Sequence, residues 1–213
     1  MEILNYMALV KYNDNSISAI SSAGQLATGS LVPIKTLTAS SSATLSFVDG
    51  SDGVVLDSTY PIYVFKLINI HPSASDAFFE INFSTDSGSN YNVAKTTTLF
   101  NAYHNESGSA TGLNYNSSHD SAQNTGGARL VTSQGNGNDE SFSGEIFLYN
   151  PSSTTFVKHF MSRLSTHGSS SYLYDFYSAG YGNTTSAIDG VKFAYASGNI
   201  DAGKIKLYGI KDS

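Results

Sequence analysis

The sequence predicts an all-β protein, an antiparallel β-sandwich of jelly-roll-like form with an extended N-terminal arm. Three observations carry that reading. Apolar and polar residues alternate over short runs, most cleanly from Ala77 to Ser84, where Ala77, Phe79, Ile81 and Phe83 face one way and Glu80, Asn82 and Ser84 the other. Clusters of Gly, Asn, Ser and Asp separate these runs at intervals of roughly 8 to 12 residues, the spacing of sandwiches and jelly rolls. Almost nothing has a helical period; Ser186 to Asp189 offers one turn at most.

The expected division is an arm or linker over residues 1–30 and a sandwich over residues 31–213. Residues 13–30 are small and polar, with isolated Ile17, Ile20 and Leu26 too sparse to close a core. Such a stretch suits an arm that orders against something else, or a floppy terminus. The start, MEILNYMALVKYND, has an acidic second residue and an apolar run broken by Asn5 and Lys11, which does not read as a signal peptide.

Strands are expected from Leu31 to Thr38 around Pro33, and from Ala43 to Val48, with a turn over Asp49 to Gly53. The organising strand is Tyr60 to Pro72. Ile62, Val64, Ile68 and Ile70 point one way and Tyr63, Phe65 and Leu67 the other, with Lys66 the only charge. A strand apolar on both faces wants cover on both, one from the sandwich and one from a neighbouring segment or subunit. Tyr63, Phe65 and Leu67 are therefore candidate interface residues, as are Ile17, Ile20 and Leu26 of the arm.

Ala77 to Ser84 and a Thr-rich Tyr91 to Tyr103 follow. His104 to Gly127 is rich in Ser, Asn, Gly and Thr and reads as a surface excursion, long enough to bind something or pack on a neighbour. Ala128 to Ser133 offers a short strand. Phe142 to Tyr149 and Thr154 to Leu164 make a hairpin around Asn150-Pro151-Ser152-Ser153. Tyr172 to Tyr181, Gly190 to Ala196 and Lys204 to Ile210 bring the set to about ten strands.

Composition narrows the function classes. Only 13% of the 213 residues are charged, against roughly 25% in an ordinary soluble protein. The surface is therefore largely neutral Ser, Thr, Asn and Gly. A net charge of -6 argues against nucleic acid, whose phosphates call for a basic stripe. No apolar run reaches the roughly 20 residues that span a bilayer, so no membrane partner is expected. The absence of cysteine removes disulfides, thiolate metal sites and Cys nucleophiles.

No reaction emerges from the remaining candidates. His71, His104, His119, His159 and His167 have no zinc spacing. His119, Asp120 and Ser121 are adjacent and cannot form a hydrogen-bonded triad line, and no GxSxG elbow occurs. Glu80 and Glu145 read as solvated outer positions rather than a glycosidase pair. Asp49 to Gly53 and Asn136 to Glu140 offer oxygen ligands but lack an EF-hand spacing. No cofactor and no enzymatic activity are expected. The cluster Tyr172, Tyr174, Asp175, Tyr177 and Tyr181 is the place to look for a sugar or protein contact, with Tyr172, Tyr174 and Tyr177 its candidate contact residues.

Several runs carry a resemblance: SLVPIKTLTASSSATLSFVDG, DSTYPIYVFKLINIHP, INFSTDSGSNYNVAKTTT, NPSSTTFVKHFM, AGYGNTTSAIDGVKF and the ending SGNIDAGKIKLYGIK. From about Ser30 onward the chain resembles structural proteins of marine tailed phages, including cyanophages. The resemblance implies a virion surface component without enzymatic activity, a homotrimer made in the host cytoplasm. Two roles follow. One is a capsid decoration (cement) protein held on the major capsid protein; the other is a tail or fibre protein recognising a host surface glycan.

Overall fold

The structure, a computed structural model, describes residues 30–212. All regular structure there is β, in thirteen antiparallel strands. They are β1 (Leu31–Thr38), β2 (Leu45–Val48), β3 (Ile62–Pro72), β4 (Ala77–Ser84), β5 (Lys95–Asn105), β6 (Thr111–Tyr115), β7 (Ser121–Asn124), β8 (Ala128–Gln134), β9 (Phe142–Tyr149), β10 (Lys158–Gly168), β11 (Tyr172–Gly182), β12 (Gly190–Tyr195) and β13 (Ile200–Ile210). The arm residues Ile17, Ile20 and Leu26 lie outside the described residues.

The strands form one sheet that folds over on itself. A broad layer runs β1-β13-β3-β9-β10-β11-β5, with β6 and β7 along the far side of β5. A narrower layer runs β8-β4-β12-β2, joined to the first through β10 and β8. The sheet nearly closes on itself, and the all-β antiparallel sandwich expected from the alternation is present.

Four aromatic contacts knit the layers face to face: Phe47 with Phe65 at 5.3 Å, Phe65 with Phe193 at 5.2 Å, Phe79 with Phe142 at 4.8 Å and Phe83 with Phe160 at 5.5 Å. Edge-to-face geometry of this kind stabilises each pair by about 0.5–1.5 kcal/mol beyond the area it buries. Every one of these rings sits at a position the period of two assigns to the interior.

Strand β3 lies inside the broad layer between β13 and β9, as its two-sided apolarity requires. Tyr63, Phe65 and Leu67 are fully buried in the chain's own core. That placement corrects their reading as contacts for a second chain: the narrow layer already covers them. On the opposite face Val64 is buried between its cross-strand neighbours Tyr208 and Phe147, while Ile68 remains 39% exposed. Lys66 is ion-paired with Glu145 on the adjacent strand.

Strand β3 carries a bulge where the pairing with β9 shifts between Leu67 and Ile70. Asn69 there has φ of 49°, and across from it Gly203 on β13 has φ of 113°. A side chain at Gly203 would lie 2.5 Å from the Asn69 carbonyl oxygen, so the close approach of two backbones is what demands glycine.

The excursion from His104 to Gly127 differs from expectation. It holds β6 and β7, which extend the broad layer past β5. All five residues of β6 are exposed, so no buried face imprints an alternation on its sequence. The Phe142–Leu164 hairpin also has a longer connection than its turn motif suggested, because β10 starts at Lys158.

Candidate functional site: the outer face of the broad layer

Because side chains alternate, the residues not committed to the core form a second continuous surface on the broad layer. One cross-strand row runs Lys206, Lys66, Glu145, Arg163, Tyr177, Phe100 and Tyr115, from β13 through to β6. Its middle is polar and internally satisfied. The Arg163 guanidinium donates Nε–H and Nη2–H bonds to the Asp175 carboxylate at 3.2 and 2.8 Å, and its carbon lies 5.3 Å from the Tyr177 ring centre. The Tyr177 hydroxyl donates to the same carboxylate at 3.2 Å. The hydrogen bond and charge of Asp175 hold Arg163 above even the usual guanidinium range.

Towards β6 the face becomes apolar. Phe100 stacks on Tyr177 with centroids 5.1 Å apart and planes 4° from parallel. Leu113 is 76% exposed, Tyr115 53% and Leu173 51%, and all share this side. Met161 adds an exposed side chain in the neighbouring row. Lys66, Ser143, Glu145, Arg163, Leu173 and Asp175 line a shallow cleft of about 380 Å³, near the lower end of the ~300–1,000 Å³ typical of small-molecule sites.

The tyrosine cluster divides by strand parity. Tyr177 belongs to this outer face together with Asp175 and Tyr181. Tyr172 and Tyr174 belong to the inner side, stacked on each other at 5.6 Å and packed with Tyr103 and Phe176. Burial raises the Tyr174 hydroxyl above its ordinary value. Odd and even positions on one strand cannot serve one surface, and counting from Phe176 inward would have separated them. Phe100, Arg163, Leu113 and Tyr115 went unnoticed in the sequence, since their grouping depends on which strands become neighbours.

The residues weighed for bond-making chemistry have the following neighbours. His119 Nδ1 lies 3.3 Å from the Ser118 hydroxyl and the Asp120 carboxylate accepts from the Tyr115 hydroxyl at 2.6 Å, so neither is hydrogen-bonded to the other or to Ser121. Glu80 and Glu145 lie on the two opposite outsides of the sandwich, Glu80 paired with Arg129 and Glu145 with Lys66. Burial raises the Glu80 carboxyl, with Arg129 opposing. In the two oxygen-rich loops Asp49 accepts from the Leu56 amide, Asp52 is ion-paired with Lys35 on β1, and Glu140 accepts from the Gly137 amide at 2.5 Å. Among the described residues no group of three His, Asp or Glu is placed to hold a metal.

Set against known proteins, the chain matches no family model, no curated protein and no solved structure. Fold and site together define an all-β sandwich protein that presents one broad, mixed apolar and charged sheet face.

Proposed function

We propose that the protein works by adhesion, as a non-enzymatic structural component of a virus particle, and specifically as a capsid decoration protein seated on the major capsid protein. The observation that carries the adhesive part is the outer face of the broad layer. Large apolar side chains exposed together on one face mark an interaction surface, whereas scattered ones do not. In the middle of that face Lys66 is paired with Glu145 and Arg163 with Asp175, so docking there would desolvate satisfied pairs rather than strand isolated ions. The virion assignment rests on the resemblance of the strand runs and the IKLYGIK ending to phage structural proteins, and the choice of capsid over tail on the modest length, the single β domain and the polar N-terminal stretch of the sequence.

Binding the assembled lattice better than free capsomers would stabilise a shell by mass action alone. Several linked copies would multiply a weak contact through effective concentration. The test is quantitative mass spectrometry of purified particles. A copy number in step with the capsid lattice is the expected result; one set by the low-fold symmetry of a tail, or absence from particles, sinks the capsid assignment.

A second reading is favoured by one detail. The Phe100–Tyr177 platform beside the Arg163–Asp175 fork combines an aromatic face with fixed donors and acceptors, a combination suited to a host surface glycan. Under that reading isolated protein binds host cells, and Arg163→Ala abolishes the binding. Protein that binds particles but no host cells excludes it.

A further inference from the structure

Among the described residues four strands are paired on one side only: β1, β2, β6 and β7. An open strand edge invites pairing with another chain, and proteins guard such edges with proline, charge, bulges or shortness. Three of the four are guarded. Strand β1 has Pro33, Lys35 and a register shift between them, and β2 and β7 are only four residues long.

Strand β6, one residue longer than β2 and β7, has no proline, charge or bulge. Its sequence, Thr111-Gly-Leu-Asn-Tyr115, contains neither proline nor charge, and it pairs with β5 in unbroken register from Phe100–Tyr115 to His104–Thr111. All five residues are exposed. Backbone N–H and C=O groups on its free side point away from β5 in alternation.

We propose that β6 pairs antiparallel with β6 of a second copy about a two-fold axis at Leu113, making a dimer with one sheet running through both subunits. The strand is self-complementary in that arrangement. Leu113 faces Leu113 of the other copy and Thr111 faces its Tyr115, with no like charges opposed. All of these side chains fall on the outer face, next to Phe100, so the apolar margin of that face continues side by side into the second copy. The chain's own residues 1–29 are the rival occupant. They enter the domain at Leu31 on β1, at the opposite margin of the layer. Seven inter-strand steps separate β1 from β6, about 34 Å along the sheet at ~4.8 Å per step, a span that 29 extended residues can reach, so the exchange measurement below separates the two occupants.

The cysteine-free sequence makes the test direct. Paired residues on adjacent strands have Cα atoms ~4.5–5.5 Å apart, within disulfide reach. Full-length Leu113→Cys is therefore expected to oxidise rapidly to a reducible covalent dimer. Asn114→Cys, displaced from its own copy across the axis, should oxidise far more slowly. Sedimentation of the unaltered protein should give a dimer mass, and Leu113→Lys should weaken that association by about tenfold or more through opposed like charges. Circular dichroism melts of each variant check that the sandwich remains folded.

A monomer or trimer mass overturns the proposal, as does a dimer untouched by Leu113→Lys or equal oxidation of the two cysteine variants. A monomer whose Leu113 amide resists hydrogen exchange also overturns it, and would assign the edge to residues 1–29 or another protein.

Discussion

Lys95 gives the sharpest quantitative expectation. It begins β5 on the inward side and is fully buried, its ammonium donating to Asn82 Oδ1 at 2.5 Å and the Val93 carbonyl at 2.7 Å. Burial pulls its pKa from 10.5 down to about 8; the nearby Glu80 charge opposes the shift and Lys192 adds to it. Between those two values the unfolded chain holds more protons than the folded one, so this group makes stability rise with pH. Two and a half units correspond to a penalty of about 3 kcal/mol well below pH 8, removed progressively towards pH 10.5. Integrated from pH 7.5 to 9.5, the gain is about 2 kcal/mol.

Lys158 is also lowered by burial and adds to the same rise, so the native chain is compared with a variant that keeps it. No thiol titrates in this window, since the chain has no cysteine. The buried hydroxyls of Tyr63 and Tyr195, both raised by burial, affect stability only once unfolded tyrosines ionise near pH 10. Lys95→Met removes the titration and leaves Asn82 Oδ1 and the Val93 carbonyl without this donor, at a cost of about 1–3 kcal/mol. The two proteins should therefore be similar in stability at pH 7.5, while the native chain should be ahead at pH 9.5. Urea unfolding followed by circular dichroism at the two pH values measures the difference, and groups that do not sense Lys95 cancel from it. Parallel pH dependences for the two proteins would refute the assignment of a strained, buried ammonium.

Phe65→Ala removes the ring that contacts both Phe47 and Phe193, and should cost about 3–5 kcal/mol in urea unfolding. A loss below 1 kcal/mol would mean the layers are not packed through it. Gly203→Val forces a branched side chain into positive φ against the Asn69 carbonyl; about 1–3 kcal/mol should be lost. Arg163→Ala, on an exposed and internally paired side chain, should change folding stability by less than about 1 kcal/mol. The same variant should weaken binding to particles measurably in co-sedimentation, and unchanged binding would remove the outer face from the contact.

Much of the interior was legible because burial writes itself into a strand at every second residue. Ala77, Phe79, Ile81 and Phe83 could be assigned inward from the sequence, and all are fully buried. The alternation also implied the split of Tyr177 from Tyr172 and Tyr174, although a cluster read by proximity along the chain concealed it. What could not be read was adjacency. Pairing of β3 with β9 and β13 and of β11 with β5 joins segments distant in sequence, and no local signal specifies such partners. The outer face exists only once those pairings are made, so Arg163, Phe100 and Leu113 were unremarkable as isolated residues. Strand β6 was invisible for the complementary reason: with no buried side it obeys no pattern.

The two-faced character of β3 has a different meaning in the folded chain from the one its sequence first suggests. A strand apolar on both sides looks incomplete alone, yet the narrow layer covers Tyr63, Phe65 and Leu67, and Val64 is buried among its neighbours on the broad layer. The uncovered apolar surface lies instead at the far margin of the layer, where Phe100, Leu113 and Tyr115 stand on strands with polar inner neighbours such as Asn101 and Asn114. Apolar residues at that margin add nothing to the sandwich core, and leaving Leu113 in water forgoes about 1.5–3 kcal/mol that burial of such a side chain would return. Under the proposed pairing a second copy lies beside that exposed side chain, and β6, rather than β3, is then the strand through which this fold meets its partner.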